Sequence, residues 1–341
     1  MELALYCPVY GYYEKEEDKP GRGGDFYTSV SVGSLFSELL AFQFVEWLET
    51  APSSANAPEK GKTESSPVQI VEAGAHDGQL ANDILTWLRE HRRALFDRLE
   101  YQIVEPSAVL AARQRRMLAE FPRIRWLDDI GKAERIRGII LSNELLDAIP
   151  VHRYGWDANE KKWFEWGVTV ENGDFKWARL THAIPPADNW PAELAAILPD
   201  GFIREESPMA KEWWSRAARM LEWGKLVTLD YGFNMEEILQ RPHGTLRAYR
   251  DHRVTADVLA DAGEQDLTAH VDFTAIREAG EAVGLETEFF GGQEQFLTRI
   301  AASAWKERSG FGAWGSAQTR QFQTLTHPEH LGRFRVLVQR R

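Results

Sequence analysis

Apolar residues in this chain fall into short dense runs separated by polar, glycine-bearing turns, and the spacing of the runs predicts alternating strands and helices. From residue 68, Val68, Ile70 and Val71 are close enough and β-branched enough for a buried parallel strand, and beyond Gly74 and Gly78 the apolar positions Leu80, Ile84 and Leu85 resume at helical intervals. A second strand spans 99–106, where Pro106 stops it and Ser107 caps a helix running to about Glu120. A short third strand covers 123–127. A fourth, 137–142, leads into Asn143, Glu144 and Asp147. Each strand therefore ends in a polar residue at the same edge of the expected sheet. Upstream, Leu35, Phe36, Leu39, Leu40, Phe42, Phe44, Val45 and Leu48 form the stripe of a helix packed on a sheet, with Ser34 as its expected cap.

Between Val151 and Leu180 the rhythm changes to alternating aromatic and polar residues, among them Trp156, Trp163, Trp166, Phe175 and Trp177, with Asn172-Gly173 as a hairpin turn. An antiparallel insertion is the expected result. A strand over 202–206, a helix over 208–223 and a strand over 226–230 return the chain to the main sheet; a helix over 274–283 and strands over 285–290 and 334–339 close it. Residues 1–25 are rich in turns and tyrosines and read as a wrap. The low-complexity run 51–67 reads as a mobile loop. The fold class is α/β, a Rossmann-like sheet with an N-terminal wrap and an antiparallel β insertion.

Composition narrows the partners. A chain of 341 residues with 43% hydrophobic positions buries a sizeable core, and a net charge of −12 without a basic stripe argues against nucleic acid. One cysteine, Cys7, excludes an internal disulfide and a cysteine-built zinc site, and the nine histidines show no ligand spacing, so no metal is expected. No apolar run reaches membrane-spanning length and no basic-then-apolar leader is present, which sets a cytoplasmic protein as the default expectation.

The chemistry starts at the first strand. Its turn fails the dinucleotide fingerprint, because the positions that want glycine hold Gly74, His76 and Gln79. The pattern acidic-x-Gly-x-x-x-Gly, carried by Glu72, Gly74 and Gly78, fits better the first motif of S-adenosylmethionine (SAM) methyltransferases, in which a strand-end carboxylate and a glycine loop hold the methionine and ribose portions. The plainer alternative is an ordinary glycine-containing strand-to-helix turn.

Seven segments extend that reading: Gly24-Asp-Phe-Tyr-Thr-Ser, Val71-Glu-Ala-Gly, Val104-Glu-Pro-Ser, Ser142-Asn-Glu-Leu-Leu-Asp-Ala-Ile-Pro-Val, Leu229-Asp-Tyr-Gly, Gly244-Thr-Leu-Arg-Ala-Tyr and Thr268-Ala-His-Val-Asp-Phe. In this order they resemble the MidA-like SAM-dependent methyltransferases, the family of the mitochondrial complex I assembly factor that methylates arginine. The resemblance runs from about Leu3 to the last residues. It implies a class I methyltransferase sheet that binds SAM and a protein substrate, in the best-known relative an arginine of a respiratory-complex subunit. Carried over by position, it implies Glu72, Ala73, Gly74, His76 and Gly78 as the cofactor loop, Glu105 as the ribose partner and Asp128 as the acid near the adenine. Asn143 and Glu144 would sit where the fourth strand opens toward the methyl group, and Asp25, Phe26, Tyr27 and Thr28 would cover the cofactor. The chain then divides into a substrate-side cap (1–50), the loop 51–67, a SAM-binding core (68–150), the insertion (151–207) and a last segment that completes the sheet and adds active-site loops (208–341). A departure lies at Ala75-His76-Asp77, where the family carries small residues: a bulky His76 either occludes the methionine pocket or hydrogen-bonds the cofactor.

Methyl transfer needs alignment, exclusion of water and relay of one proton, and an arginine acceptor also needs carboxylates to grip its guanidinium. Glu144, Asp147, Asp230 and Asp272 are the carboxylate candidates, Asn143 is a further catalytic candidate beside them, and His252 and His270 could carry the proton. Each has a plainer role. Glu144 and Asp147 can orient the following turn, Asp230 can accept backbone bonds, and His270 can be a packing histidine. Arg247 and Arg250 can take an acidic group or line a solvated strand face. Two further classes stay open, a SAM-fold assembly protein without turnover and a nicotinamide-dependent oxidoreductase, and so does a homodimer.

Overall fold

The computed structural model describes residues 1–15, 28–50, 67–181, 192–250, 253–255, 257–307 and 313–341. Expectations for Asp25, Phe26, Tyr27, His252 and all but Pro67 of the 51–67 loop lie outside these residues. A short helix α1 (Glu2–Tyr6) precedes α2 (Leu35–Glu49), which buries ten of its fifteen residues because apolar positions cover most of its circumference. Ser34 stands at its N-cap position, but the hydroxyl donates to Glu38 Oε1 (2.7 Å) and makes no cap bond.

The predicted strand–helix alternation is present: β1 (Val68–Ala73), α3 (Gln79–His91), α4 (Arg93–Arg98), β2 (Leu99–Val104), α5 (Ala108–Met117), β3 (Ile124–Leu127) and β4 (Ile136–Asn143). Ser107 caps α5 by accepting from Leu110 N, as expected, although the helix ends at Met117 and not near Glu120. β5 (His152–Asp157), β6 (Lys162–Glu171) and β7 (Asp174–Arg179), followed by α6 (Ala192–Ala195) and β8 (Ile203–Glu206), give the antiparallel insertion, ordered β7-β6-β5-β8. α7 (Pro208–Met220) stops short of Trp223 because fully buried Leu221 begins β9 (Leu221–Asp230).

The chain continues through β10 (Gly232–Phe233), β11 (Arg247–Arg250), β12 (Arg253–Thr255), β13 (Asp266–Thr268), β14 (Val271–Asp272) and α8 (Phe273–Glu281). Then come β15 (Glu286–Gly292), α9 (Gln293–Glu307), α10 (Ser316–Thr326) and β16 (Arg335–Arg340). The seven-stranded sheet runs β15-β16-β9-β4-β1-β2-β3; β3, β2, β1, β4 and β9 are parallel, and β16 is antiparallel to both of its neighbours.

Alternation along the strands splits the core in two. Val68, Ile70, Ile139, Leu141, Val227 and Val336 face α2, α3 and α9 on one side, while Val71, Ala73, Ile140, Leu226 and Leu337 face α7 and α8 on the other. Helices on both faces leave one edge open, at the C-terminal ends of the parallel strands, where ligands of such sheets bind. The wrap closes on this edge: Leu5 packs with Ala248 and Leu267, and Tyr13 donates to Asp266 Oδ2 (2.7 Å). Ser107 donates to Glu14 Oε2 (3.0 Å), which ties the wrap to the end of β2.

Candidate active site

The turn after β1 is built for a close approach. Gly74 has φ +72° and Gly78 φ +90°, and a Cβ on Gly74 would stand 2.8 Å from Leu145 Cδ1, so a side chain there is excluded by conformation and by space. Glu72 is buried, and Tyr101 of β2 donates its phenol to Glu72 Oε2 at 2.6 Å. Burial pushes this carboxyl up to about 7, with the phenol opposing and Asp77 adding to the rise. At the end of β2, Glu105 accepts from Ser107 N (3.0 Å) and Gln114 Nε2 (2.9 Å), which fix its orientation and leave lone pairs for further donors.

His76 also adopts a left-handed conformation, at φ +48°. Its side chain is 62% exposed and 3.8 Å from Asp77, and its charge is felt by both Glu105 and Glu144. The neighbouring Asp77 carboxylate, against the opposing effect of burial, holds it above the ordinary histidine value. Asp128, at the end of β3, pairs with Lys132 (2.6 Å) on the outer part of the same edge.

A second corner follows β4. Glu144 has φ +51°, which is uncommon for a residue with a side chain and is held here by the bond from Glu144 N to Leu229 O (2.9 Å). Its Oε1 accepts from Asn143 Nδ2 (3.2 Å) and from Ser29 N (3.3 Å), so the residues just after the wrap are tied to this carboxylate. Thr28 forms a tight turn with Ser31 next to it. Asp230, fully buried at the end of β9, accepts from Leu146 N (2.8 Å), Asp147 N (3.3 Å) and Tyr231 N (2.8 Å) and thereby shapes the corner.

Burial first, then Asp147, pushes Glu144 up to about 8; burial and then Glu144 push Asp230 to about 8. Asp147 is raised well above the carboxylate range by burial, Asp230 and Asp266. None of these three carboxylates has an ion pair with a described residue. Packed in this way they store an unmet preference for a cation.

Two further candidates, Asp272 and His270, have different surroundings. Asp272 caps α8 by accepting from Ala275 N (3.1 Å), and the charges acting on it are Arg204 and Lys211 and not the Glu144 group. His270 is held at about 4 by burial and by Arg241, Arg247 and Arg333, so it is neutral and too weak a base to collect a proton near neutral pH.

The sequence reading missed three participants. Tyr101 looks like one more aromatic in an apolar strand. Gln114 was detectable, because it occupies the inward face of α5 with Leu110 and Ala111 and is fully buried, where a polar residue needs a purpose. Tyr231 stacks on His270 (ring centroids 6.2 Å apart) and packs on Phe334 (3.8 Å), with its phenol raised by burial and by Glu144; nothing local announces it.

These groups fit SAM. The turn around Gly74 and Gly78 would hold the methionine portion, Glu105 the ribose, and the acidic corner the sulfonium side, where buried Asn143 Oδ1 has no partner among the described residues. An open parallel sheet with a glycine turn, acidic strand ends and cation-seeking carboxylates defines a class I SAM-dependent methyltransferase. A family model described as "Putative S-adenosyl-L-methionine-dependent methyltransferase" matches residues 39–291, and the chain belongs to that family.

A crystal structure of a relative from Burkholderia thailandensis, bound to S-adenosyl-homocysteine, is 30% identical and superposes with a TM-score of 0.81 over 100% of this chain and 86% of that one. Among curated proteins, the zebrafish "Protein arginine methyltransferase NDUFAF7, mitochondrial" is 29% identical over 83% of this chain and 68% of its own length. The Drosophila melanogaster homologue is 28% identical over 99% of this chain and 79% of its own. The protein is therefore a SAM-dependent methyltransferase, and the oxidoreductase alternative falls away. The cytoplasmic expectation is also overturned: these relatives, and the human one, are mitochondrial by name. Composition and the lack of an apolar span reported only the absence of a membrane helix, which holds among the described residues.

Proposed function

We propose that this methyltransferase modifies an arginine side chain of a protein substrate. The observation that carries the reading is the cluster at the ends of β4 and β9 of half-buried Glu144 with buried Asp147 and Asp230, three carboxylates with no ion pair to a described residue. A guanidinium fits such a site because it is always charged and presents donors in a planar fork. The names of the relatives from zebrafish and Drosophila support the same substrate class.

When bound, SAM supplies an electrophilic methyl group. The chain's own residues do the remainder. Glu72, Ala73, Gly74, His76, Gly78, Glu105 and Asp128 hold the cofactor along the strand edge, and Asn143 borders the methyl side. Glu144 and Asp147 grip the guanidinium and set one nitrogen in line with the methyl carbon. Glu144, at about 8, is matched to receiving the proton that nitrogen loses near neutral pH. Asp230 is a positioning residue, since its bonds to Leu146 N, Asp147 N and Tyr231 N hold the corner in shape.

The test is transfer of label from methyl-tritiated SAM to proteins of a lysate by the purified chain, followed by mass spectrometry of the labelled residue. Labelled methylarginine that disappears with Glu144→Gln is the expected result. Label on another residue type would refute the arginine reading, and SAM binding without any labelled product would favour the assembly-protein alternative.

A further inference from the structure

The acidic corner has a positive neighbour just past the end of β9, around Tyr231 and His270. Arg241, Arg247 and Arg333 come from three separate segments and meet around His270. Arg247 pairs in register with Thr268, two residues before His270. The Arg241 guanidinium lies over the Phe233 ring at 5.7 Å, and Phe233 pairs in register with Asp272, two residues after it. Arg333 precedes Phe334, whose ring packs on Tyr231, and Tyr231 stacks on His270.

Among the described residues none of the three forms an ion pair. Arg247 Nη1 donates only to the Leu246 carbonyl (2.8 Å), and Arg241 Nε is buried without a partner. In a chain of net charge −12, guanidiniums gathered without a counter-ion are unexpected and cost self-repulsion. Arg247 and Arg333 are exposed, as groups meeting a macromolecule would be. Their forks match carboxylate geometry. Tyr231, which stacks on His270, also feels the charges of Glu144 and Arg333, so the rim adjoins the acidic corner proposed to hold the acceptor.

We propose that Arg241, Arg247 and Arg333 form an anion-binding rim that takes acidic side chains flanking the acceptor residue of the protein substrate. This rests on the reading of a protein acceptor given above. The floor would hold the cationic side chain to be methylated while the rim holds its acidic neighbours, so the site reads a charge pattern and not a single residue.

The experiment uses the whole chain with S-adenosyl-homocysteine bound and three fluorescein-labelled peptides: a central arginine flanked by glutamates, the same arginine flanked by alanines, and a central leucine flanked by glutamates. The glutamate-flanked arginine peptide is expected to bind about five- to tenfold more tightly than the alanine-flanked one, as two partly exposed ion pairs allow. That preference should fall with added salt and vanish in the R247Q/R333Q double variant, with affinity for S-adenosyl-homocysteine unchanged. Equal binding of the two arginine peptides by the unsubstituted protein would overturn the rim. So would loss of S-adenosyl-homocysteine binding in the double variant, which would assign these arginines to the cofactor. A third overturning result is tight binding of inorganic phosphate with no flank preference, which would make the rim a free-phosphate site. Glutamate-flanked leucine binding as well as glutamate-flanked arginine supports the rim and counts against the arginine acceptor, so the two readings fail separately.

Discussion

Two neighbouring strands leave the same edge of one sheet and end in opposite solutions. After β1 the backbone turns left-handed at Gly74, His76 and Gly78, has no side chain at the two glycines and continues into a helix of thirteen residues; the glycines make room. After β4 the left-handed residue is Glu144, which has a full side chain, and the chain makes a short 3-10 turn shaped by Asp230; this corner makes charge. A ligand with a neutral backbone and a cationic centre needs both. The lesson is that the first corner follows from local conformational freedom, while the second exists only because β9 lies beside β4.

The largest effect should come from filling the first corner. Gly74→Val should abolish SAM binding, seen as loss of the thermal shift that SAM gives the unsubstituted protein, because the side chain meets Leu145 and the φ is unfavourable. A normal shift in this variant would break the comparison. Next, Glu144→Gln should leave SAM affinity within a few-fold but slow transfer by roughly 10²–10⁴, the range for removing a positioned proton acceptor, measured in single turnover. Equal losses in affinity and rate would mean that the two corners do not divide their labour.

The second corner also predicts a pH dependence. Glu144 rises from the ordinary 4.5 to about 8 in the folded chain, so the native state binds more protons than the unfolded one between these values and stability falls as pH rises through that window. Glu144→Gln should therefore raise the melting temperature near pH 8, with the gain fading toward pH 5. A gain constant with pH would refute the titration. By the same sign, binding of the acceptor guanidinium at Glu144 releases a proton, and affinity for an arginine peptide should increase as pH approaches 8.

Smaller effects sharpen the boundary. Tyr101→Phe removes a buried hydrogen bond to Glu72 and should cost about 1–3 kcal/mol in urea unfolding, with weakened SAM binding. Asp272→Ala should cost about 1 kcal/mol, the value of a helix cap, and leave the transfer rate unchanged. A rate loss there would return Asp272 to the chemistry.

Legibility in the sequence followed the same division. β1, β2 and β4 were readable because parallel strands buried on both faces become dense apolar runs, and the glycine turn because two residue types suffice to specify it. The corner at Glu144 was readable only as a motif, since convergence with Asp230 depends on a strand pairing across more than eighty residues. α9 and α10 are absent from the sequence reading, although in α9 Phe296, Leu297, Ile300, Ala301 and Ala304 recur at helical spacing and are buried. Gln114 and the arginines around His270 required tertiary structure, being assembled from segments with no common period.

β16 lies between β9 and β15, so β15 reaches the sheet only through a strand made some forty residues after it. During synthesis the half of the sheet beside Asp230 must wait for residues 335–340 to leave the ribosome, and until then two strand edges stand open to wrong pairings. For a cell, the vulnerable interval of this protein is the time between the synthesis of β9 and that of β16.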